Sequence, residues 1–421
     1  MKRILVIGVV VMLIVVLSNL RLIEAVPSGF SNPLNISSNH GDSILPQMIV
    51  SGNDVYVLWN DNATGKYGIF LTKSTDGGTN FDTPVNISKN IGSSGSPQFA
   101  VSGNDVYVVW QAKATGKYQI LFAKSTDGGA TFTTPVNISN NSGDSSYPKV
   151  LVSENNIYVV WAFTVTNKDY DILFSKSTDG GATFATPVNL SNTVGDTGLP
   201  QMVMSGNNIY ITWENNGPGN FDVFVAKSTD SGNTFSAPVN VSKNPKPSGA
   251  PQIVASGNDV YVVWMDNTPG NYDIFVAKST DNASTFGTPV NVSNNTGDSG
   301  YQQIALSENN LYVAWTDTIS KSNYDILFAK STDGGATFTI PVNISNTTDN
   351  SNFKQMVLSD NNVYVVWQDG APNQHEILFA KSTTFVPEFG TLASLVLLVA
   401  ILFTTILFAK TIPRLKMNSV L

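Results

Sequence analysis

A strand-like alternation of apolar and polar positions runs through most of the chain. The second segment of each unit is the most apolar, and in its second copy Tyr107 and Trp110 fall on opposite faces of the expected strand. A strand that is apolar on both faces is expected where sheets pack against one another on both sides. Turn residues separate this segment from three others, and the four expected strands of the unit are 98–102, 105–111, 118–124 and 134–139.

The same unit recurs about every fifty residues, which is typical of repeated supersecondary structure. Each second strand ends in a tryptophan, and these are all seven tryptophans of the chain: Trp59, Trp110, Trp161, Trp213, Trp264, Trp315 and Trp367. A box of the form Ser-x-Asp-x-Gly-x-Thr-Phe follows the third strand, with aspartates 51 or 52 residues apart at Asp76, Asp127, Asp179, Asp230, Asp281 and Asp333. The tryptophans therefore count seven units, although the box appears six times.

The first and last copies are incomplete at complementary points. The last copy reaches Thr383 and Phe385 without a box or a fourth strand, whereas residues 30–37 repeat the fourth-strand pattern before any complete unit. In a closed ring the N-terminal strand would complete the last unit and pair two exposed edges. The sequence therefore predicts an all-β fold, a seven-bladed β-propeller over residues 28–385. Its blades are four-stranded and antiparallel, and the N-terminal strand closes the last one.

The box has a local structural explanation. An aspartate in a hairpin turn accepts hydrogen bonds from backbone amides, and the glycines adopt positive φ without a clash. The six boxes resemble those of the Asp-box, or BNR-repeat, propellers, of which the sialidases are the best known. The resemblance implies that the boxes lie on one face of the ring. It also implies that ligands bind on the opposite face, where fourth strands return to first strands.

The catalytic site of the sialidases is not carried over to this chain. For a sialidase, the resemblance implies a site with three arginines that bind the substrate carboxylate, an aspartate acid/base, and a tyrosine activated by a glutamate. A guanidinium binds a carboxylate through two parallel hydrogen bonds, which lysine cannot do. The arginines of this chain are Arg3, Arg21 and Arg414, all outside the predicted propeller. Sialidase activity is therefore not expected.

Another glycosidase would need two carboxyl groups in unlike environments. The returning loops supply one set of candidates, and the predicted loops between second and third strands supply Asp61, Asp266, Asp317 and Asp369 in addition to Glu214. The candidate catalytic residues are Asp42, Asp144, Asp196, Asp298 and Glu214. The alternative is that the Gly-Asp pairs cap turns through backbone contacts. Near-identical repeated loops favour this structural alternative.

The candidate ligand-binding residues lie at the mouth of the first strands. A polar ring is predicted around the axis, and Lys149 is its one departure from glutamine: Gln47, Gln98, Lys149, Gln201, Gln252, Gln303 and Gln355. Tyr147, Tyr301 and Phe353 replace smaller residues beside this ring and would add apolar plates. Amides next to aromatic rings suit a neutral sugar or a peptide. The alternative is a ring of amides that lines a water-filled channel.

The N-terminal end predicts export. Lys2 and Arg3 precede an uncharged run at 4–17, and the small residue Ala25 follows, which is typical of a signal peptide covering 1–25. An uncleaved anchor is the alternative.

The C-terminal end predicts attachment to a membrane. Residues 391–409 carry no charge and are long enough for a transmembrane helix, and the tail 410–421 is basic, which places it in the cytoplasm and the propeller outside. The segment 386–390, with Pro387 to Gly390 reading Pro-Glu-Phe-Gly, resembles the PEFG-type sorting signal of archaeal surface proteins. That resemblance implies export, followed by cleavage and re-anchoring by an archaeosortase. A plain membrane anchor is the alternative.

Composition narrows the function further. The chain has no cysteine, so an exported fold must be held by packing without disulfides. Its net charge is −8, and each end contributes +2, which leaves −12 for the repeats and argues against nucleic acid as a partner. Two histidines are too few for a histidine-rich metal centre and no EF-hand spacing is present, so neither metal nor cofactor is predicted. Calcium at the loop aspartates is the alternative.

The function predicted from the sequence is that of a surface-anchored, non-catalytic propeller. We expect it to bind a glycan or an envelope protein through its loop face. A glycoside hydrolase that uses loop carboxylates and a structural envelope component are the alternatives.

Overall fold

The structure, a computed structural model, describes residues 31–38, 41–89, 91–113, 116–165, 169–192, 195–320, 323–343, 353–359, 362–369 and 375–382. Within these ranges the regular structure is all strand, and Asn32–Lys381 forms one compact unit. The predicted signal peptide, PEFG-like motif, transmembrane helix and basic tail lie outside the described residues. A helix that could cross a membrane is not found in the described part of the chain.

The strands fall into four positional classes. The first strands are β2 (Ser43–Ser51), β6 (Ser94–Ser102), β10 (Asp144–Ser153), β14 (Thr197–Ser205), β18 (Ser248–Ser256), β22 (Ser299–Ser307) and β26 (Phe353–Ser359). The second strands are β3 (Asp54–Asp61), β7 (Asp105–Lys113), β11 (Asn156–Thr164), β15 (Asn208–Asn215), β19 (Asp259–Asp266), β23 (Asn310–Ser320) and β27 (Asn362–Asp369). The third strands are β4 (Gly68–Ser74), β8 (Tyr118–Ser125), β12 (Asp171–Ser177), β16 (Asp222–Ser228), β20 (Asp273–Ser279), β24 (Asn323–Ser331) and β28 (Glu376–Ser382). The fourth strands are β5 (Val85–Asn86), β9 (Val136–Asn137), β13 (Val188–Asn189), β17 (Val239–Asn240), β21 (Val290–Asn291), β25 (Val342–Asn343) and β1 (Leu34–Asn35).

These strands form seven four-stranded antiparallel sheets, numbered here as blades 1 to 7 from β2 onward. In blades 1 to 6 the order is first, second, third, fourth, and in blade 7 the fourth position is taken by β1. First strands of consecutive blades contact one another around the whole ring, including β26 with β2, so they line the central axis. The predicted seven-bladed propeller is confirmed.

Strand bounds differ from the prediction at the first and fourth positions. In blade 2 the first strand begins at Ser94 instead of Gln98, because pairing with β7 continues through a bulge between Gly95 and Gln98. The fourth strand, β9, contains only Val136 and Asn137. Such short outer strands leave little free edge for pairing with another chain.

Each blade buries both faces of its second strand against its neighbours. Trp110 of blade 2 packs with Leu58 of blade 1, whereas Tyr107 packs with Trp161 of blade 3. Six of the seven tryptophans are at most 1% exposed, and Trp367 is half-buried. The core is therefore a series of layers between blades, which is what the two-sided apolar pattern predicts.

The N-terminal strand closes the ring, as predicted. Leu34 pairs with Phe379, and the backbone N–H of Ile36 donates to the carbonyl of Ile377 at 2.9 Å. Ile377 in turn donates its N–H to Ser37 Oγ at 3.0 Å. One core layer joins side chains from both ends of the repeat region, among them Phe379 and Trp59. Closure thus combines strand pairing with burial of apolar side chains.

Each Asp box folds its own turn. Asp127 Oδ1 accepts hydrogen bonds from the Ser125 hydroxyl at 2.7 Å and the Thr131 N–H at 2.9 Å, while Oδ2 accepts from the Thr131 hydroxyl at 2.5 Å. The hydroxyls of Thr131 and Ser125, followed by the Thr131 N–H, hold the pKa of this carboxyl well below its ordinary value. The other five box aspartates accept the same kinds of bond. These carboxylates are turn-forming groups on the face where third strands end.

The second glycine of the box docks against the preceding blade. At Gly181, φ is +93° and an added Cβ would lie 2.6 Å from the ring of Phe122 in blade 2. In blade 5 this position is Ala283, which is buried in the same layer as Val225, the blade 4 counterpart of Phe122. A smaller neighbour therefore accompanies the larger box residue. The box is a contact between blades as well as a turn.

We predict that Gly181→Ala lowers the free energy of unfolding by about 2–4 kcal/mol, because it combines positive φ with a clash against Phe122. Adding Phe122→Val should recover part of this loss, as the Ala283 and Val225 pair suggests. Gly103→Ala is the control, since its φ is +59° with open space around it, and should cost about 1 kcal/mol. Urea unfolding measures these three variants and Phe122→Val alone. Strictly additive losses for the two substitutions would contradict the contact.

Candidate functional site

The candidate site lies at the axial ends of the first strands, on the face opposite the Asp boxes. In blades 1 to 6 a register shift precedes the predicted ring residue, so the first strand bulges there. The residue two positions before the ring residue has φ between 48° and 53° in every one of these blades: Leu45, Ser96, Tyr147, Leu199, Ala250 and Tyr301. Positive φ in leucine and tyrosine is uncommon and strained.

The bulge also fixes the register of the ring residues. Each pairs with the residue directly before the tryptophan of its second strand, as Gln98 does with Val109 and Lys149 with Val160. Gln252, Gln303 and Gln355 occupy the same register in blades 5 to 7 and are half-buried. The seven positions therefore recur at one level around the axis.

Four ring residues meet in one cavity of about 230 Å³: Gln47, Gln98, Lys149 and Gln201, from blades 1 to 4. Leu45, Tyr147 and Leu199 line its mouth, together with prolines that precede the ring residues. Tyr301 occupies the bulge of blade 6 outside this cavity and is 73% exposed. Phe353 is the first residue of β26. Tyr147 thus lines the cavity and Tyr301 does not, so these two predicted aromatic plates do not converge.

Lys149 carries the positive charge of the cavity. Its ammonium donates to Gln98 Oε1 at 3.1 Å, and no carboxylate lies within ion-pair distance among the described residues. Lys149 is half-buried, and desolvation of its ammonium by the surrounding protein lowers the pKa of Lys149 to about 8. A cation is therefore held in the cavity without a counter-ion.

Amide side chains from neighbouring blades hold the bulges in place. Gln111 Oε1 accepts the N–H of Tyr147 at 3.2 Å, and Gln368 Oε1 accepts the N–H of Leu45 at 3.3 Å. Both glutamines directly follow a tryptophan, at a position where the seven repeats differ. That variability was the available sequence signal for these positioning residues, which sequence reasoning did not identify.

Glu214 takes the same position in blade 4. The prediction that it lies in a loop is wrong, because β15 continues to Asn215 and carries Glu214 within the sheet. Its Oε2 accepts the N–H of Ala250 at 2.9 Å, and an added Cβ at Gly249 would lie 2.6 Å from that oxygen. Burial raises the pKa of Glu214; the Ala250 hydrogen bond opposes this, and the charge of Asp196 adds to it. Glu214 is a bulge-holding residue with an acid group where blades 2 and 7 have an amide.

The returning-loop aspartates cap the starts of third strands. Asp144 and Asp298 accept the N–H of Tyr118 and Tyr272 at 2.7 and 3.0 Å, and Asp196 accepts that of Tyr170 at 3.1 Å. These contacts have the geometry of the structural alternative. Each carboxylate thus has a backbone partner.

Asp42 makes the equivalent contact across the closure of the ring. It accepts the N–H of His375 at 3.0 Å, the imidazole Nδ1 of His375 lies 2.7 Å away, and Tyr67 donates its hydroxyl at 2.5 Å. Burial raises the pKa of Asp42, but the hydrogen bonds from Tyr67 and His375 outweigh burial and lower it overall. The hydrogen bond to Asp42 raises the pKa of Tyr67 to about 12. The carboxylate is a fixed acceptor between blades 1 and 7.

The remaining predicted loop carboxylates also lie in second strands. Asp61, Asp266 and Asp317 accept the indole N–H of the tryptophan two residues earlier, at 3.3, 2.9 and 3.3 Å. Asp369 ends β27. Ala112 and Phe163 replace this aspartate in blades 2 and 3, and there the indole N–H has no partner among the described residues. The aspartate is therefore a partner for a buried tryptophan. Groups of acidic or histidine side chains suited to a metal are not found among the residues described.

The fold and site define a seven-bladed β-propeller with an axial cavity, lined by apolar residues and by four polar ring residues, opposite its Asp boxes. No family model matches the chain, and no curated protein matches it. Among solved structures it is similar to the polysaccharide lyase Uly1, with a TM-score of 0.56 and 10% identity over 87% of this chain and 94% of that one. It is also similar to an ulvan lyase bound to GlcA(1-4)Rha3S, with a TM-score of 0.54 and 12% identity over 85% and 94%. Trypanosoma rangeli sialidase matches at a TM-score of 0.45 and 12% identity, over 75% of this chain and 58% of the sialidase. At these identities the similarity shows the fold alone.

We predict that Lys149→Gln raises the free energy of unfolding by about 1–3 kcal/mol at pH 7, because it removes a buried charge. The folded-state pKa of about 8 lies below the ordinary 10.5, so between these values the unfolded chain binds more protons. The parent protein therefore gains stability with rising pH, and the advantage of the variant shrinks toward pH 10.5. Lys66→Gln, at an exposed lysine, is the control. Denaturant unfolding at several pH values measures the difference; a constant difference would contradict desolvation of Lys149.

Proposed function

We propose that this protein is an exported, surface-anchored propeller that binds a glycan, without catalysis, on the face opposite its Asp boxes. The observation that carries the proposal is the set of first-strand bulges on this face, where bulky exposed side chains stand on strained backbone. Leu45, Tyr147 and Tyr301 are 39%, 48% and 73% exposed at positive φ. Stability alone does not account for this arrangement.

The strained backbone of these bulge residues indicates that their side chains have a function other than stability. A bulky residue in the left-handed region costs on the order of 1–2 kcal/mol, and an exposed side chain gains little from burial in return. Ser96 and Ala250 occupy the same bulge position, so the fold accepts small residues there. Strained residues of this kind cluster at ligand-binding sites.

The chemistry of the site suits sugars. The amides of Gln47, Gln98 and Gln201 can each donate and accept hydrogen bonds, which matches the hydroxyl groups of a sugar. The ring of Tyr147 offers a flat apolar surface beside them, suited to the apolar face of a sugar ring. The two lyases named above act on polysaccharides by their descriptions and share this fold over most of their length, which is consistent with a glycan ligand.

Binding without turnover is supported by the state of the carboxylates. Asp42, Asp144, Asp196 and Asp298 each accept a backbone N–H that starts a third strand. A hydrolase needs a protonated and an ionised carboxyl group on either side of the substrate bond.

One observation favours glycoside hydrolysis as a second candidate function. The pKa of Glu214 is raised, and the charge of Asp196 contributes to that rise.

Export and anchoring rest on the chain ends described in the sequence. A signal peptide at 1–25 and a membrane span at 391–409 would hold the propeller outside the cell. A glycan-binding protein anchored in this way would meet the glycans of the cell envelope or its surroundings directly.

We predict that replacing Tyr147 and Tyr301 together with serine, the residue at bulge position Ser96, weakens glycan binding at least tenfold, because the stacking surface is lost. A glycan panel incubated with the full-length protein, scored for both retention and turnover, measures this. Val188→Ser, on an exposed outer strand, is the control and should bind as the parent does. Failure of the parent to retain any glycan would overturn the proposal. Turnover abolished by Glu214→Gln would establish the hydrolase instead.

A further inference from the structure

The single lysine of the ring distinguishes the cavity from its symmetric surroundings. At the same register, six blades present glutamine and blade 3 presents Lys149. Gln98 is the one hydrogen-bond partner of its ammonium among the described residues, although an ammonium has three donors. A buried cation is expensive unless a paired anion offsets its desolvation.

Neighbouring carboxylates are committed elsewhere. Asp144, which starts the same strand, accepts the ammonium of Lys117 at 2.9 Å and the N–H of Tyr118 at 2.7 Å. Glu214 of blade 4 accepts the N–H of Ala250, away from the cavity lining. The other titratable side chain that lines the cavity is Tyr147, which comes from the same strand as Lys149. Among the described residues Lys149 has no ion-pair partner, and a ligand can supply one.

We propose that the axial cavity binds an acidic sugar residue, with the carboxylate or sulfate group of the sugar on Lys149 and its ring against Tyr147. This inference rests on the proposed glycan-binding function and names the ligand class. A volume of about 230 Å³ is below that of most drug-sized pockets, so it holds one residue of a longer chain that continues over the rim. Gln47 and Gln201, which also line the cavity, would bind its hydroxyl groups.

Charge on the rest of the protein sharpens the inference. The repeats carry a net charge of −12, so long-range electrostatics repel an acidic glycan. Affinity for such a ligand must therefore come from a local contact. A desolvated lysine at a position where the other six blades carry glutamine is the pattern expected when function opposes stability.

Matched pairs of probes test the inference on the full-length protein. Polygalacturonate and its fully methyl-esterified form differ in the carboxylate, and dextran sulfate and dextran differ in the sulfate. We expect the acidic member of at least one pair to bind at least tenfold more tightly, and Lys149→Gln to weaken that binding about tenfold to a hundredfold. The neutral members should bind the parent and Lys149→Gln equally. The pair that responds identifies the anionic group.

The controls separate this inference from the proposed function. Lys66→Gln removes an exposed lysine and should leave binding unchanged, while thermal unfolding of Lys149→Gln checks that the variant is folded. Equal binding of acidic and neutral members, or acidic binding that survives Lys149→Gln, overturns the assignment of Lys149 and leaves glycan binding standing. If the parent protein binds none of these probes and nothing in the wider glycan panel, both the assignment of Lys149 and the proposed glycan binding are overturned.

Discussion

Every blade of this ring must bury two apolar faces of its second strand, and no blade can do so alone. Trp110 packs toward one neighbour and Tyr107 toward the other, so each core layer belongs to two blades. A linear stack would leave such a face open at each end. Pairing of β1 with β28 removes both open ends at once, in a chain that has no cysteine to fasten them covalently.

The two faces of the ring differ in how far their residues are fixed by contacts between blades. On the box face, Ser125, Asp127 and Thr131 build a turn, and the adjoining glycine sits against the preceding blade. The box recurs in six blades because it forms both a turn and a contact between blades. On the axial face the bulge is repeated but its side chain is not: serine, alanine, leucine and tyrosine all occupy it. Variation is concentrated where the scaffold sets the backbone and leaves the side chain free.

The fold was predictable because its signals are repeated and local. Seven tryptophans, six boxes and the complementary ends define blade number and closure without any knowledge of distances. The candidate site was harder to predict from the sequence than the fold. Glu214 looks like a loop acid in the sequence, yet pairing in β15 places it against Ala250 in the next blade. The bulge before Lys149 depends on the register of strand pairing, and its hydrogen bond from Tyr147 to the Gln111 amide depends on a contact between blades. Neither can be deduced from the sequence of a single repeat.

The pairing of β1 with β28 also fixes where the two ends of the ring lie. β28 runs toward the box face and ends at Ser382, and antiparallel β1 begins beside it, with Leu34 opposite Phe379. The free ends of the first and last strands of the ring therefore both lie at the box face. The axial mouth, with Tyr147 and Lys149, lies at the opposite face of the ring, so a long polymer can approach it without meeting these two strand ends.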